Sequence, residues 1–263
     1  MQGESILRTV NRVLAASCVM AVTPCTNHAE EEPSATPYRP TVSTPATLSS
    51  PRWLELELGG QHAHGGESSQ HINLPYALKY AFTADWGIRA GGDAWVRDVA
   101  QDGTRASGFG DTNVILKRRF AVHEDSAFGL EGGAYFATAK DGLGSGKTDY
   151  LLTGIYSGDF GHYHSDINVG ATRVGQIGPG EDRWQSAWAT SVSGSFSEQW
   201  GGAGEFSGAY RRGTATTTQF LLAGNFNYSK HVVFDMGVAF GLASASPNWT
   251  LLAGVTVLLR QLR

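Results

Sequence analysis

Charged residues make up only 17% of this 263-residue chain, against about 25% in soluble domains, and 34 of its residues are glycine, which marks a β-rich, weakly charged protein. A net charge of -4 and a pI near 6.0 leave no basic stripe to track a phosphate backbone, so no nucleic-acid partner is expected. Cys18 and Cys25 are the only cysteines and both lie near the amino terminus, which excludes a disulfide framework.

In residues 1–29, Arg8 and Arg12 precede an apolar run from Val13 to Val22 and a polar segment ending at Ala29, the pattern of an export signal. The run is too short to cross a bilayer. Cleavage after Ala29 removes both cysteines. From Glu30 to Pro51 the chain holds five of its nine prolines and no apolar period, so residues 30–51 are expected to be a disordered, partly polyproline linker. The alternative is that this stretch folds up into the body formed by residues 52–263 as a short plug.

Residues 52–263 contain no apolar run long enough for a transmembrane helix. They alternate apolar and polar positions in segments that predict about twelve strands. These run over Trp53 to Gly60, His71 to Phe82, Trp86 to Arg97, Asp111 to Val122, Phe128 to Thr138 and Asp149 to Ser157. They continue over His162 to Val174, Trp184 to Phe196, Ala203 to Arg211, Thr218 to Tyr228, Val232 to Leu242 and Trp249 to Gln261. Connections alternate between tight turns, such as Thr83 to Asp85, and mostly longer glycine-bearing loops, such as those around Gly103 and Gly144. The fold class this predicts is all-β: a transmembrane antiparallel up-and-down β-barrel with both termini in the periplasm.

The fourth of these strands opens from the turn in GFGDTNVILKRRF, Gly108 to Phe120. Thr112, Val114, Leu116, Arg118 and Phe120 take one face, and Asp111, Asn113, Ile115, Lys117 and Arg119 the other. Together with GLGSGKTDY, Gly142 to Tyr150, this stretch resembles the outer-membrane transporter family named after the meta-pathway of phenol degradation, over a likeness running from about Pro75 to the C-terminus. The resemblance implies an outer-membrane β-barrel and small aromatic or hydrophobic compounds as solutes.

The last three strands carry outward sets of Phe220, Leu222, Phe226 and Tyr228, of Phe234, Met236, Val238 and Phe240, and of Trp249, Leu251, Val255 and Val257. Their alternates include Asn225, Asn227, Asp235 and Thr256, which are costly in a dry core and natural in a watery lumen. Trp53, Trp86 and Trp200 at one end, and Trp184 and Trp249 at the other, form two interfacial girdles.

Alternation also turns Glu55, Glu57, Lys79, Arg89, Asp93, Asp111, Lys117, Arg119, Glu131, Asp166, Glu205, Arg211, Asp235 and Arg260 inward. Opposite charges on neighbouring strands can simply pair and stiffen the wall. Alternatively, Glu55, Glu57, Lys79, Arg89, Asp111, Lys117, Arg119 and Glu131 are expected to line the lumen as an ion-selecting constriction.

Other motifs carry less. GSGKT, Gly144 to Thr148, lacks the first glycine of a phosphate loop, whose place is taken by Asp141, and a strand rather than a helix comes after it. His62 and His64 in an outer loop, and His162 and His164 in a periplasmic turn, lie at opposite ends of the barrel and cannot share a metal. His164 and Ser165 are adjacent and face opposite ways, unlike the pair a barrel hydrolase needs. Neither a catalytic site nor a cofactor or metal site is expected. The expected function is passive diffusion of small molecules through an outer-membrane channel. Its partners are outer-membrane lipid, small-molecule solutes and the outer-membrane assembly machinery. The alternative is a structural or adhesive barrel with a closed lumen.

Overall fold

The computed structural model describes residues 32–262, so the expected export signal over residues 1–29 lies outside the described residues. The strands are β1 (Trp53–His64), β2 (Ser68–Ala81), β3 (Trp86–Ala100), β4 (Arg105–Gly108), β5 (Thr112–His123), β6 (Ser126–Phe136) and β7 (Asp149–Phe160). They continue as β8 (Tyr163–Arg173), β9 (Trp184–Ser195), β10 (Trp200–Tyr210), β11 (Thr217–Ser229), β12 (Val232–Gly241) and β13 (Trp249–Gln261). Every pairing between them is antiparallel. β1 closes on β13 from Trp53 opposite Gln261 to His64 opposite Trp249, so twelve strands form a closed barrel and β4 is an added strand. β3 leaves β5 after Gly92 and pairs with β4 instead, from Val96 opposite Gly108 to Val99 opposite Arg105. A four-residue strand containing glycine is too short to show a period, and so β4 was invisible in the sequence.

The wall is inverted relative to a soluble sheet. On β12, Phe234, Met236 and Phe240 are 46%, 63% and 45% exposed on the outside, while Val233, Asp235 and Ala239 are buried within. The same holds on β5, where Val114, Leu116 and Phe120 face out and Asn113, Ile115 and Lys117 face in. Large apolar side chains cover the outside of every barrel strand, far beyond the few hundred square ångströms that soluble monomers tolerate. Such a wall is built to meet hydrocarbon.

Short turns after β2, β5, β7, β9 and β11 share one end with the start of β1 and the end of β13. The outer connections are longer, except that residues 65–67 join β1 to β2 tightly because both strands run further than their alternation indicated. The expected inward position of Arg260 is corrected by a register shift between Leu54 and Glu55. Leu258 is the last inward residue of β13, and Arg260 is exposed beyond the bulge.

The proline-rich stretch takes the second of its two readings. Residues 33–50 run inside the barrel rather than away from it as a disordered linker, and Ala46 packs there in a buried apolar cluster with Ala127 and Ile155. The prolines explain why it stays separate from the sheet, since Pro37, Pro40 and Pro45 have no N–H to offer a ladder.

If the outer face of β12 lies in hydrocarbon, Met236→Arg costs about 2–4 kcal/mol in a urea titration of vesicle-folded protein, whereas a solvent-facing wall predicts a change within about 0.5 kcal/mol.

Candidate functional site

The site is the lumen and the segment that fills the half of it nearer the short turns. The segment enters beside the turn after β11, where the Ala35 amide donates to the Lys230 carbonyl. Extended backbone turns alternate N–H groups the same way, and β1 turns alternate side chains inward. The two repeats match: the Thr36 amide donates to Glu55 Oε2 at 2.8 Å and the Tyr38 amide to Glu57 Oε1 at 2.7 Å.

The chain then crosses the barrel. Glu205 on β10 accepts from the amides of Val42 at 2.9 Å and Ser43 at 2.7 Å, and from the Ser43 hydroxyl at 2.6 Å. Asn168 on β8 binds Thr44 both ways, accepting from its amide and donating to its carbonyl. The Ala46 amide donates to Ser157 Oγ on β7, and that hydroxyl donates to Asp166. Returning downward, the segment places Leu48 against Gly87 and leads through Ser50 into β1.

Charges complete the hold. Lys79 Nζ contacts Glu55 and lies 2.7 Å from Glu57 Oε1 and 2.6 Å from the Thr36 carbonyl. Lys117 Nζ lies 2.9 Å from Glu131 and 2.7 Å from the Pro45 carbonyl. The Tyr38 ring sits between the two ammonium groups, at 3.8 and 4.0 Å from its centroid, and its hydroxyl donates to the Thr47 carbonyl. Arg39 reaches Asp235 at 3.5 Å and the Ala253 carbonyl at 3.1 Å. It lies in a slot between the paired glycines Gly59 and Gly254, where a Cβ added at either position collides with its guanidinium.

Above this floor a cavity of about 640 Å³ faces the outer loops. Tyr38, Arg39 and Thr44 form its base, and Arg89, Asn113, Glu131 and Asn168 stand in its wall. The arrangement is a cup of mixed polar and apolar lining, open toward the long loops and stopped at the other side.

Of the eight expected lumen residues, Glu55, Glu57, Lys79, Lys117 and Glu131 gather around the segment and are buried. Arg89 lines the cavity next to them, and its Nε has no hydrogen-bond partner among the described residues. Arg119 sits toward the short turn after β2, 3.9 Å from Asp85, which also pairs with Arg118 at 3.2 Å. Asp111 sits at the opposite end and pins the 137–148 loop, accepting from the amides of Ser145 at 2.7 Å and Ala139 at 3.0 Å. Burial favours its neutral acid, but these hydrogen bonds outweigh that and hold the carboxyl below the usual carboxylate range. GSGKT belongs to this pinned loop.

His62 and His64 lie on β1 rather than in a loop, flanking Trp249 at ring-centroid distances of 5.2 and 5.5 Å. His164 lies on β8 between Asp159 and Asp166. Sequence reasoning missed Asn168, Ser157 and Ser191, which hold the segment through single side chains and have no distinguishing spacing.

Glu205→Ala removes the two oxygens that accept three hydrogen bonds from the crossing. Hydrogen exchange of the Val42 and Ser43 amides, followed by mass spectrometry of the full chain in detergent, is then faster by about tenfold or more. Unchanged exchange would mean that Glu205 does not hold the segment.

Known structures share this architecture. The chain is similar to an outer membrane channel from Pseudomonas putida F1, with a TM-score of 0.65 and 14% identity over 81% of this chain and 98% of that one. It is also similar to the NanC porin, with a TM-score of 0.57 and 10% identity over 78% and 100% of the two chains. A third similar structure is the CymD monoaromatic hydrocarbon channel, with a TM-score of 0.51 and 9% identity over 80% and 90%. No family model matches the chain, and no curated protein matches it in sequence. What the chain shares with these proteins is the fold of a membrane β-barrel.

Proposed function

We propose that this protein is an outer-membrane channel for passive diffusion of small molecules, stopped on its periplasmic side by residues 33–50. The observation that carries the reading is the contrast between wall and stopper. The barrel is a continuous hydrogen-bonded ring, whereas the segment is held by hydrogen bonds and ion contacts to single side chains. Such contacts each contribute about 0.5–3 kcal/mol and exchange readily with water, so the segment can leave without unfolding the wall.

The solute class we propose is small aromatic or hydrophobic compounds. The resemblance to the phenol-degradation transporters supports it, as does the shared fold of the CymD monoaromatic hydrocarbon channel. Once the segment moves, Glu55, Glu57, Lys79, Arg89, Lys117 and Glu131 line the opened path and act on whatever passes. Export through an N-terminal signal and insertion by the outer-membrane assembly machinery belong to the same proposal.

A closed structural barrel is favoured by one observation: Lys79 and Lys117 are fully engaged by Glu55, Glu57 and Glu131. Planar-bilayer recordings separate the two readings. The Ser43 and Ser191 hydroxyls are 2.9 Å apart, so Ser43→Cys with Ser191→Cys places two thiols within disulfide reach. The channel reading expects openings in reducing buffer that vanish on oxidation, and persistent openings when residues 33–50 are deleted. Silence of the folded deletion variant would establish the closed barrel.

A further inference from the structure

The outward face of the outer rim on β13, β1, β2, β3 and β4 differs from the rest of the wall. Register places Leu251, His62, Ile72, Arg97 and Ser107 in one row and Trp249, His64, Gln70, Val99 and Arg105 in the next. Directly opposed residues of antiparallel strands share a face, so these two rows form one surface. His64, Gln70 and Arg105 are exposed on it, and Arg97 and His62 are half-buried. Neither row contains a carboxylate.

Three other arginines near this rim are compensated, whereas Arg173 stands singly on β8 between Tyr150 and Trp184. Arg211 lies 3.1 Å from Glu181, Arg212 lies 3.8 Å from Asp182, and Arg183 donates to the carbonyls of Val174 and Gly175. Arg97 and Arg105 have no ion-pair or hydrogen-bonding side-chain partner among the described residues. Two uncompensated guanidinium groups on β3 and β4 therefore face outward, with two imidazoles on the same face across β2. Their height is set by Trp249, an interfacial girdle residue that stacks on His64, and by exposed Leu74 and Trp95 toward the barrel middle. At that height on the lipid face, the neighbouring matter is the headgroup layer of the outer leaflet.

Resting on the outer-membrane reading, we propose that this rim binds the phosphorylated headgroup of an outer-leaflet glycolipid. Arg97 and Arg105 pair with phosphate, His62 and His64 add ring N–H donors, and Trp249 with Ile72 covers the upper acyl chains. Guanidinium is suited to phosphate because its planar fork donates two parallel N–H bonds.

Native mass spectrometry of the full chain in detergent tests this with bisphosphorylated lipid A and with its fully dephosphorylated form. Arg97→Gln combined with Arg105→Gln is expected to weaken the lipid A adduct about thirtyfold, and removing both phosphates from the lipid to weaken it comparably. Arg173→Gln, on the outward face between Tyr150 and Trp184, leaves the adduct at the wild-type level. Equal binding of the dephosphorylated lipid, equal binding by the double variant, or displacement by equimolar inorganic phosphate each overturns the proposal. The double variant conducts like the wild type in a phosphatidylcholine bilayer. Silence there of the folded variant lacking residues 33–50, with the lipid A adduct intact in the wild type, overturns the channel reading and leaves the lipid site standing.

Discussion

Hydrocarbon offers no partner to a backbone N–H or C=O, and the rest of this molecule depends on that constraint. A sheet can satisfy it only by closing, and here β1 closes on β13 over its whole length. Closure fixes two faces for every strand. Apolar alternates such as Leu222 and Met236 go outward, which leaves Glu55, Glu57, Lys79, Lys117, Glu131, Asp166, Glu205 and Asp235 on the inside. A charged interior is thus a consequence of the apolar wall, and it needs either water or protein to satisfy it.

The chain supplies protein, from its own N-terminal side. Carboxylates are acceptors only, and an extended segment offers N–H donors at a fixed repeat. Glu55 and Glu57 therefore take amides two residues apart, and Glu205 takes two in succession. Prolines thin out the donors that need satisfying and keep the segment from pairing as another strand. Glycines make the room: Gly59 and Gly254 oppose one another across β1 and β13, and any larger residue there collides with Arg39. The same wall positions that could serve a water-filled pore are shaped to this one segment.

How much of this was legible depends on period. Alternation over ten or more residues survives in sequence, so the twelve barrel strands, their faces and the inward charges could be read. A four-residue strand such as β4 cannot show a period. The bulge near Glu55 was hidden because Leu258 and Leu259 are both apolar, so nothing in the composition marks where β13 changes face. The segment was harder still. Its partners are spread around the wall from β1 to β13, as far away as Asp235 and Ala253, and most are single side chains of an ordinary type. Among the eight expected lumen residues, alternation alone could not separate depth along the barrel. Asp111 and Arg119 were therefore grouped with the central cluster, although Asp111 lies at the loop end of the cavity and Arg119 lies two residues beyond Lys117 toward the short turn, beside Asp85.

The lysines show why stopper and filter are one set of residues on the proposed function. Each ammonium is shared between wall carboxylates and a carbonyl of the segment, with the Tyr38 ring between them. Withdrawal of the segment removes Thr36 and Pro45 as acceptors and Tyr38 as the spacer. Lys79 keeps Glu55 and Glu57, and Lys117 keeps Glu131, so the opened lumen retains paired charges on adjoining strands rather than a bare ring of one sign. A passage lined this way discriminates weakly by net charge and more strongly by size and by how well a solute tolerates losing water. Small, weakly charged solutes meet that requirement more readily than ions do, which is the physical link between the charge arrangement and the solute class proposed.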